Sequence, residues 1–172
     1  MSVNINLSGK TALITGATRG IGKAIANVFL EAGATVILTG TKKDEIDQLN
    51  ANNKNNAVKW VVANFSTLAG INSIIKELRE LEAIDICVNN AGINIIKPFI
   101  EFSNEEYQRL LSINLTAPVY LIQSLIPNMK KRSFGRIVNI ASIWSQISKT
   151  GRALYTTSKT GLVGFTRSMA VE

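Results

Sequence analysis

The chain has no histidine among its 172 residues. That excludes a Ser-His-Asp triad, a Cys-His nucleophile pair and any histidine-ligated metal centre, so no metal site is expected. Proton transfer is left to Tyr, Lys, Asp, Glu or water. Cysteine occurs once, as Cys87, which excludes an internal disulfide. It sits within an apolar run, where a thiol is a packing group rather than a nucleophile. No uninterrupted apolar stretch reaches the roughly eighteen residues that a membrane span requires. The opening "MSVNINLSGK" lacks the basic and then apolar order of a secretory signal. Together these absences point to a cytoplasmic protein with no membrane association.

Acids are scarce at one end. The first 126 residues balance eleven basic against eleven acidic side chains, whereas residues 127–172 hold eight basic residues and only Glu172 as an acid. The net charge of +7 therefore belongs to the last quarter of the chain. These cations are scattered through apparently folded sequence. Their one cluster, Lys130 to Arg132, falls where a helix should end and complements its dipole. No nucleic-acid partner is expected from such a pattern.

What is present is a regular alternation. Strand-like runs occur at 11–15, 35–39, 58–63, 84–90 and 135–142, the last being "GRIVNIAS". Between them lie helical patterns: one through Phe29, a polar one at 44–50 and an amphipathic one at 68–81. A long one starts after Ser103, with Glu106 completing a capping box, and runs to about Lys131. Pro118 and Pro127 are expected to kink or divide it. A last helix starts near Arg152. Strand and helix in turn predict an α/β fold, a Rossmann-type doubly wound parallel sheet with helices on both faces. Without repeats or a low-complexity linker, residues 1–172 read as one dinucleotide-binding and catalytic domain.

The first strand opens into "TGATRGIG", Thr15 to Gly22. Glycines between a strand and a helix permit a tight turn and a close approach to a pyrophosphate, which the helix N-terminus stabilises. Gly16, Thr18, Arg19, Gly20, Ile21 and Gly22 are therefore candidate dinucleotide contacts. NAD-selective folds place an acid after the second strand to bind the ribose 2′-hydroxyl. Here Thr41 and Lys42 follow that strand, with no acid before Asp44, and Arg19 stands in the glycine loop. Cations and a hydroxyl suit a 2′-phosphate, so NADP(H) is favoured over NAD(H).

Near the end, Tyr155 and Lys159 stand four apart in "YTTSK", one above the other on a helical face. A cation held beside a phenol favours the phenolate, lowering a pKa that is otherwise about 10. By themselves the two are equally a polar stripe on an ordinary helix. Their order after "TGATRGIG", "NNAG" (Asn89 to Gly92) and Ser142 is far more specific, and the whole set resembles the short-chain dehydrogenase/reductase family. The resemblance covers nearly the entire chain. It implies a catalytic tetrad of Asn114, Ser142, Tyr155 and Lys159. Tyr155 would give a proton to a carbonyl oxygen as hydride arrives from the cofactor. Lys159 would tune that phenol and hold the nicotinamide ribose, Ser142 would orient the carbonyl, and Asn114 would hold a relay water at a helix irregularity.

The resemblance further implies that Asn89, Asn90, Ala91 and Gly92 lie near the adenine ribose. Asn64, where the family often has Asp, would contact the adenine. The segments "INIIKPF" (93–99) and "IWSQISKTGR" (143–152), above all Trp144 and Gln146, would border the substrate. Within the family the sequence looks most like 3-oxoacyl-[acyl-carrier-protein] reductases of fatty acid biosynthesis. A sugar-derivative dehydrogenase, or a truncated NADP-binding scaffold without activity, is the alternative. The substrate would be a small or carrier-bound carbonyl compound. The long helix and the Tyr-Lys helix would pack against their copies in a homodimer or homotetramer. Family members continue beyond "SMAVE" with two more strands. The fold is thus expected to lack its last two strands, with the fifth left as an open apolar edge and the C-terminal part missing from this sequence.

Overall fold

In the computed structural model, which describes residues 5–81 and 83–172, five parallel strands form one sheet. Part of the N-terminal stretch read above for a signal, residues 1–4, lies outside the described residues. The strands are β1 (Thr11–Ile14), β2 (Thr35–Gly40), β3 (Val58–Val62), β4 (Ile86–Asn89) and β5 (Arg136–Asn139), in the spatial order β3-β2-β1-β4-β5. The chain winds outward from β1 in one direction, returns, and winds out in the other through β4. Its crossovers are α1 (Gly20–Glu31), α2 (Lys43–Asn52), α3 (Leu68–Arg79) and the pair α4 (Asn104–Leu111) and α5 (Ala117–Lys131). Helix α6 (Ala153–Met169) follows β5. This is the doubly wound arrangement expected.

Alternation along each strand fills two cores. Leu13, Ile37 and Cys87 point to one face and pack with Ile71, Ile74, Leu78, Leu121 and Leu125 from α3 and α5. Ala12, Ile14, Val36, Leu38, Ile86 and Val88 point to the other and pack against Ala26, Ile25 and Phe29 of α1. Strands covered on both faces read as continuous apolar runs, which is why they stood out in the sequence. Cys87 is fully buried, and burial pushes its thiol pKa up to about 12, consistent with a packing role.

Two expectations need correction. The prolines do not divide the long helix: Asn104–Lys131 runs as one 28-residue helix. The turn ahead of Pro118 widens into a π-helical segment, Ser112–Thr116. Pro118 has no N–H to give the carbonyl of Asn114, and the wider register absorbs that loss. Pro127 frees the carbonyl of Gln123, and both residues are on the exposed side, where water can serve it. By length and composition this helix would suit a membrane span, but it lies on the sheet with Leu110, Leu121, Ile122 and Leu125 buried. The second correction is that β5 ends at Asn139, so Ser142 lies three residues beyond the ladder rather than at its end.

The capping box is present. Ser103 Oγ accepts from the Glu106 N–H at 3.3 Å, and the Glu106 carboxylate accepts from the Ser103 N–H at 3.0 Å. At the far end of α5, Arg132 does more than complement a dipole. It pairs with the buried carboxylate of Asp85 and donates to the Ile84 carbonyl at 2.8 Å, while Asp85 accepts from the Thr11 N–H at 2.9 Å. The base of β1 and β4 is thereby tied to the helix end. As expected, β5 forms an open edge. A groove of about 560 Å³ runs beside it, lined by Ile122, Met129, Phe134, Ile137 and Met169 among others.

Candidate functional site

The carboxyl ends of β1 and β4 meet at a cleft, and threonine hydroxyls build its floor. Thr15 Oγ1 accepts from the N–H groups of Asn90 and Ala91, both at 2.9 Å. In return Asn90 Nδ2 donates to the carbonyls of Thr15 at 2.9 Å and Gly16 at 3.1 Å. Thr39 Oγ1 takes the Gly16 N–H at 3.1 Å, and its carbonyl takes the Ala17 N–H at 2.9 Å. Thus "TGATRGIG" and "NNAG" are one hydrogen-bonded unit. Thr15 and Thr39, which support it, were not singled out in the sequence because hydroxyls in apolar strands look like ordinary β-formers.

Glycine is required at particular points in this unit. Gly16 has φ +64°, and a Cβ there would lie 3.0 Å from Ala91 Cα. A Cβ on Gly22 would lie 2.5 Å from both Asn90 Nδ2 and the Gly16 carbonyl oxygen. Arg19, at the N-cap position of α1, makes no side-chain cap hydrogen bond, so the first N–H groups of the helix are left without one from that residue.

The cleft has a volume of about 700 Å³. Its wall includes ten of the candidate cofactor residues: Gly16, Thr18, Arg19, Gly20, Ile21, Thr41, Asn64, Asn90, Ala91 and Gly92. Gly22 is buried beneath the loop, and Lys42 stands exposed at the N-cap of α2 beside Thr41, so neither forms wall. Asn64 is engaged locally, accepting from the Ser66 N–H at 3.0 Å and from Ser66 Oγ at 2.6 Å. Sequence reasoning missed Phe65, Ser66, Arg109 and Ile113, which also line the cleft, as does Ile93 from the segment expected to border the substrate. The i, i+4 spacing of Arg109 and Ile113 was the available signal. Among the described residues no Asp or Glu lines the cleft, while two arginines do. A helix N-terminus without a side-chain cap from Arg19, and positive charge on the cleft wall, suit a dinucleotide pyrophosphate.

Two of the four candidate catalytic residues, Asn114 and Lys159, meet at the Gly92 end. A Cβ on Gly92 would lie 3.4 Å from Asn114 Oδ1 and 3.6 Å from Lys159 Nζ. Asn114 is buried in the π-helical segment, so the expected helix irregularity is where the resemblance implied. Its Nδ2 donates to Ser158 Oγ at 3.1 Å, and Ser158 Oγ donates to the Tyr155 carbonyl at 2.8 Å. Lys159 is only 4% exposed, and its Nζ donates to the Ile140 carbonyl at 2.7 Å. Burial holds its pKa below the usual 10.5. The same Nζ lies 5.9 Å from the centroid of the Tyr155 ring.

Ser142 caps a 3₁₀ turn, Ile143–Ser145, and its Oγ accepts from the Trp144 N–H at 3.2 Å. A hydroxyl that accepts there keeps its own O–H to donate. Thr160 Oγ1 donates to the Ser145 carbonyl at 3.2 Å, which holds this turn against α6. The Trp144 ring carries the Arg152 guanidinium at 5.5 Å, while Gln146 is exposed. The arrangement places the buried Lys159 cation and the Asn114 amide beside Gly92 on the cleft wall, with the Tyr155 ring next to that cation and Ser142 in the turn after β5.

Comparison with known proteins places the chain in a family. The sequence model described as short chain dehydrogenase matches residues 10–172. The 3-oxoacyl-[acyl-carrier-protein] reductase FabG of Aquifex aeolicus is 40% identical over 174 residues, covering 99% of this chain and 70% of that protein. Its Escherichia coli counterpart is 36% identical, covering 98% and 69%. Among solved structures, one from Beutenbergia cavernae is described as a candidate NAD(P)-dependent gluconate 5-dehydrogenase with bound NADP. It superposes with a TM-score of 0.86 at 36% identity over 98% of this chain and 68% of its own. A short-chain dehydrogenase from Streptomyces avermitilis gives 0.85 at 30% identity, over 95% of this chain and 60% of its own. The chain thus spans about 60–70% of the length of these relatives. With the short chain dehydrogenase model matched over residues 10–172 and relatives of 36–40% identity over nearly all of its length, the chain belongs to the short-chain dehydrogenase/reductase family of oxidoreductases.

Proposed function

We propose that this chain is the cofactor-binding and catalytic portion of a cytoplasmic NADP(H)-dependent reductase of 3-oxoacyl thioesters. The observation that carries the catalytic part is the position of Lys159, buried against Gly92 at the end of the cofactor cleft and within reach of the Tyr155 ring. When bound, the nicotinamide cofactor supplies the hydride that reduces the carbonyl carbon. Tyr155 gives its phenolic proton to the carbonyl oxygen, leaving a phenolate that the ammonium of Lys159 stabilises. Ser142 donates its O–H to the same oxygen and fixes its direction, a contribution of about 3–4 kcal/mol in comparable oxyanion sites. Asn114, beside Lys159, holds the water that returns the proton.

The choice of NADP(H) rests on Arg19 and Thr41 in the cleft wall and the lack of an acid there among the described residues. The relative described with bound NADP favours the same choice. The thioester substrate rests on the relatives named as 3-oxoacyl-carrier-protein reductases. A second reading, a sugar-acid dehydrogenase, is favoured by the gluconate dehydrogenase relatives and by Arg152 stacked on Trp144 near Ser142, a cation suited to a carboxylate. We also infer a homodimer or homotetramer, since Tyr107 and Tyr120 stand exposed on the long helix; light scattering tests this.

The test is oxidation of NADPH, followed by absorbance, with acetoacetyl thioesters and with oxidised sugar acids. Turnover of the thioester is expected. Turnover of only the sugar acid supports the second reading. NADPH binding with no turnover of either supports a non-catalytic scaffold.

A further inference from the structure

Arg109 lines the cofactor cleft from α4, and nothing in the proposed chemistry uses it. Its position is well defined. Ser112, three residues on and on the same helical face, donates from Oγ to the Phe65 carbonyl at 2.7 Å. That bond pins the end of α4 to the turn of Asn64, Phe65 and Ser66. Arg109 therefore stands over the end of the cleft beyond β3, with Ile113 beneath it on the same wall. Lys159 lies towards the other end, bonded to Ile140 just past β5. In the order β3-β2-β1-β4-β5, these are opposite sides of the sheet.

The guanidinium is also uncommitted. Among the described residues the ion pairs are Lys43–Asp47, Lys97–Glu106 and Arg132–Asp85. Glu106 is thus held by Lys97. Glu105, one turn before Arg109, makes no ion pair with it among the described residues. An exposed arginine with no carboxylate partner, on the wall of a cleft without acids, is placed for a ligand.

We infer that Arg109 is a further cofactor-binding residue, its planar guanidinium covering the adenine of the bound dinucleotide. This rests on the reading of the cleft as a dinucleotide site. With the reacting end of the cofactor at Gly92 and Lys159, the adenine falls at the Asn64–Ser66 end. A guanidinium stacks on the π face of an adenine through its plane and its weak hydration. Adenine is common to NADH and NADPH, so Arg109 contributes to both. Arg19 and Thr41, by contrast, are the residues proposed to distinguish NADPH from NADH through the 2′-phosphate.

Fluorescence titration with NADPH, NADH and reduced nicotinamide mononucleotide tests the assignment. Arg109→Ala is expected to weaken both dinucleotides by the same factor, about tenfold. It is expected to leave the mononucleotide, which has no adenine, unchanged. Arg109→Lys keeps the charge without the plane and is expected to remain weakened. Equal affinity of Arg109→Ala and wild type overturns the inference. So does a loss confined to NADPH, a loss that extends to the mononucleotide, or full affinity in Arg109→Lys. A wild-type protein that binds neither dinucleotide overturns instead the reading of the cleft, and this inference falls with it.

Discussion

The side chain of Asn114 brackets the backbone of Ile93. Its Oδ1 accepts the Ile93 N–H at 2.8 Å, and its Nδ2 donates to the Ile93 carbonyl at 2.9 Å. An amide with one donor side and one acceptor side thus acts as a strand substitute for the segment that leaves β4. Asn114 has a structural task in addition to the relay proposed for it. Asn114→Ala leaves two backbone groups without their partner, and unsatisfied buried groups cost about 1–3 kcal/mol each. We expect a loss of about 2–4 kcal/mol in urea unfolding together with loss of turnover. An Asn114→Ala protein as stable as wild type would remove the bracket from the account.

Tyr155 offers the cleaner functional test. It is only partly buried, and Phe keeps its ring. Tyr155→Phe is expected to lower turnover by about 10²–10⁴-fold, the usual weight of a general acid, with NADPH affinity and thermal midpoint unchanged. Undiminished turnover would end the proposed mechanism.

Lys159 links the site to stability through its charge. Its folded pKa is below 10.5 because burial disfavours the ammonium. The unfolded chain therefore binds the proton more tightly, and the cost is present at pH values below the folded pKa. That cost is relieved as pH rises through the folded pKa towards 10.5. The stability of wild type relative to Lys159→Met should accordingly increase over that alkaline window. Lys159→Met should be inactive at every pH. A stability difference that does not change with pH would show the ammonium to be solvated.

Gly22 tests the link between the glycine turn and "NNAG". Alanine there would force Asn90 Nδ2 away from the Gly16 carbonyl. Overpacking of this kind costs about 1–3 kcal/mol. We expect Gly22→Ala to lose that much stability and to bind NADPH at least about tenfold more weakly. Calorimetry on the variant reads both.

Cofactor choice is expected to follow Arg19. Removing a charged hydrogen-bond donor from a phosphate costs about 1.5–3 kcal/mol. Arg19→Ala should raise the KM for NADPH by about tenfold to a hundredfold and leave that for NADH nearly unchanged. Equal effects on both cofactors would remove Arg19 from the 2′-phosphate.

The sequence by itself determined the order of elements, the doubly wound class and the identity of most candidate residues. Each rests on a short-range pattern: apolar runs for β1, β2 and β4, the Ser103–Glu106 box, glycines between strand and helix, and Tyr155 four residues before Lys159. Such patterns follow from local periodicity and turn chemistry, which are written along the chain. Only the tertiary structure decided how the pieces meet. Thr15 reaches Asn90 across 75 residues, and Ser112 reaches Phe65 across 47. Lys159 is buried against Gly92, which precedes it by more than sixty residues. The response of the long helix to Pro118 was a widened turn rather than a break, with α5 held in the core against the sheet and α4 against α6. Arg109 gained its meaning in the same way. Its helical spacing from Ile113 was visible, but which wall that face would form depended on strand order, a property of pairing between distant segments that no local pattern carries.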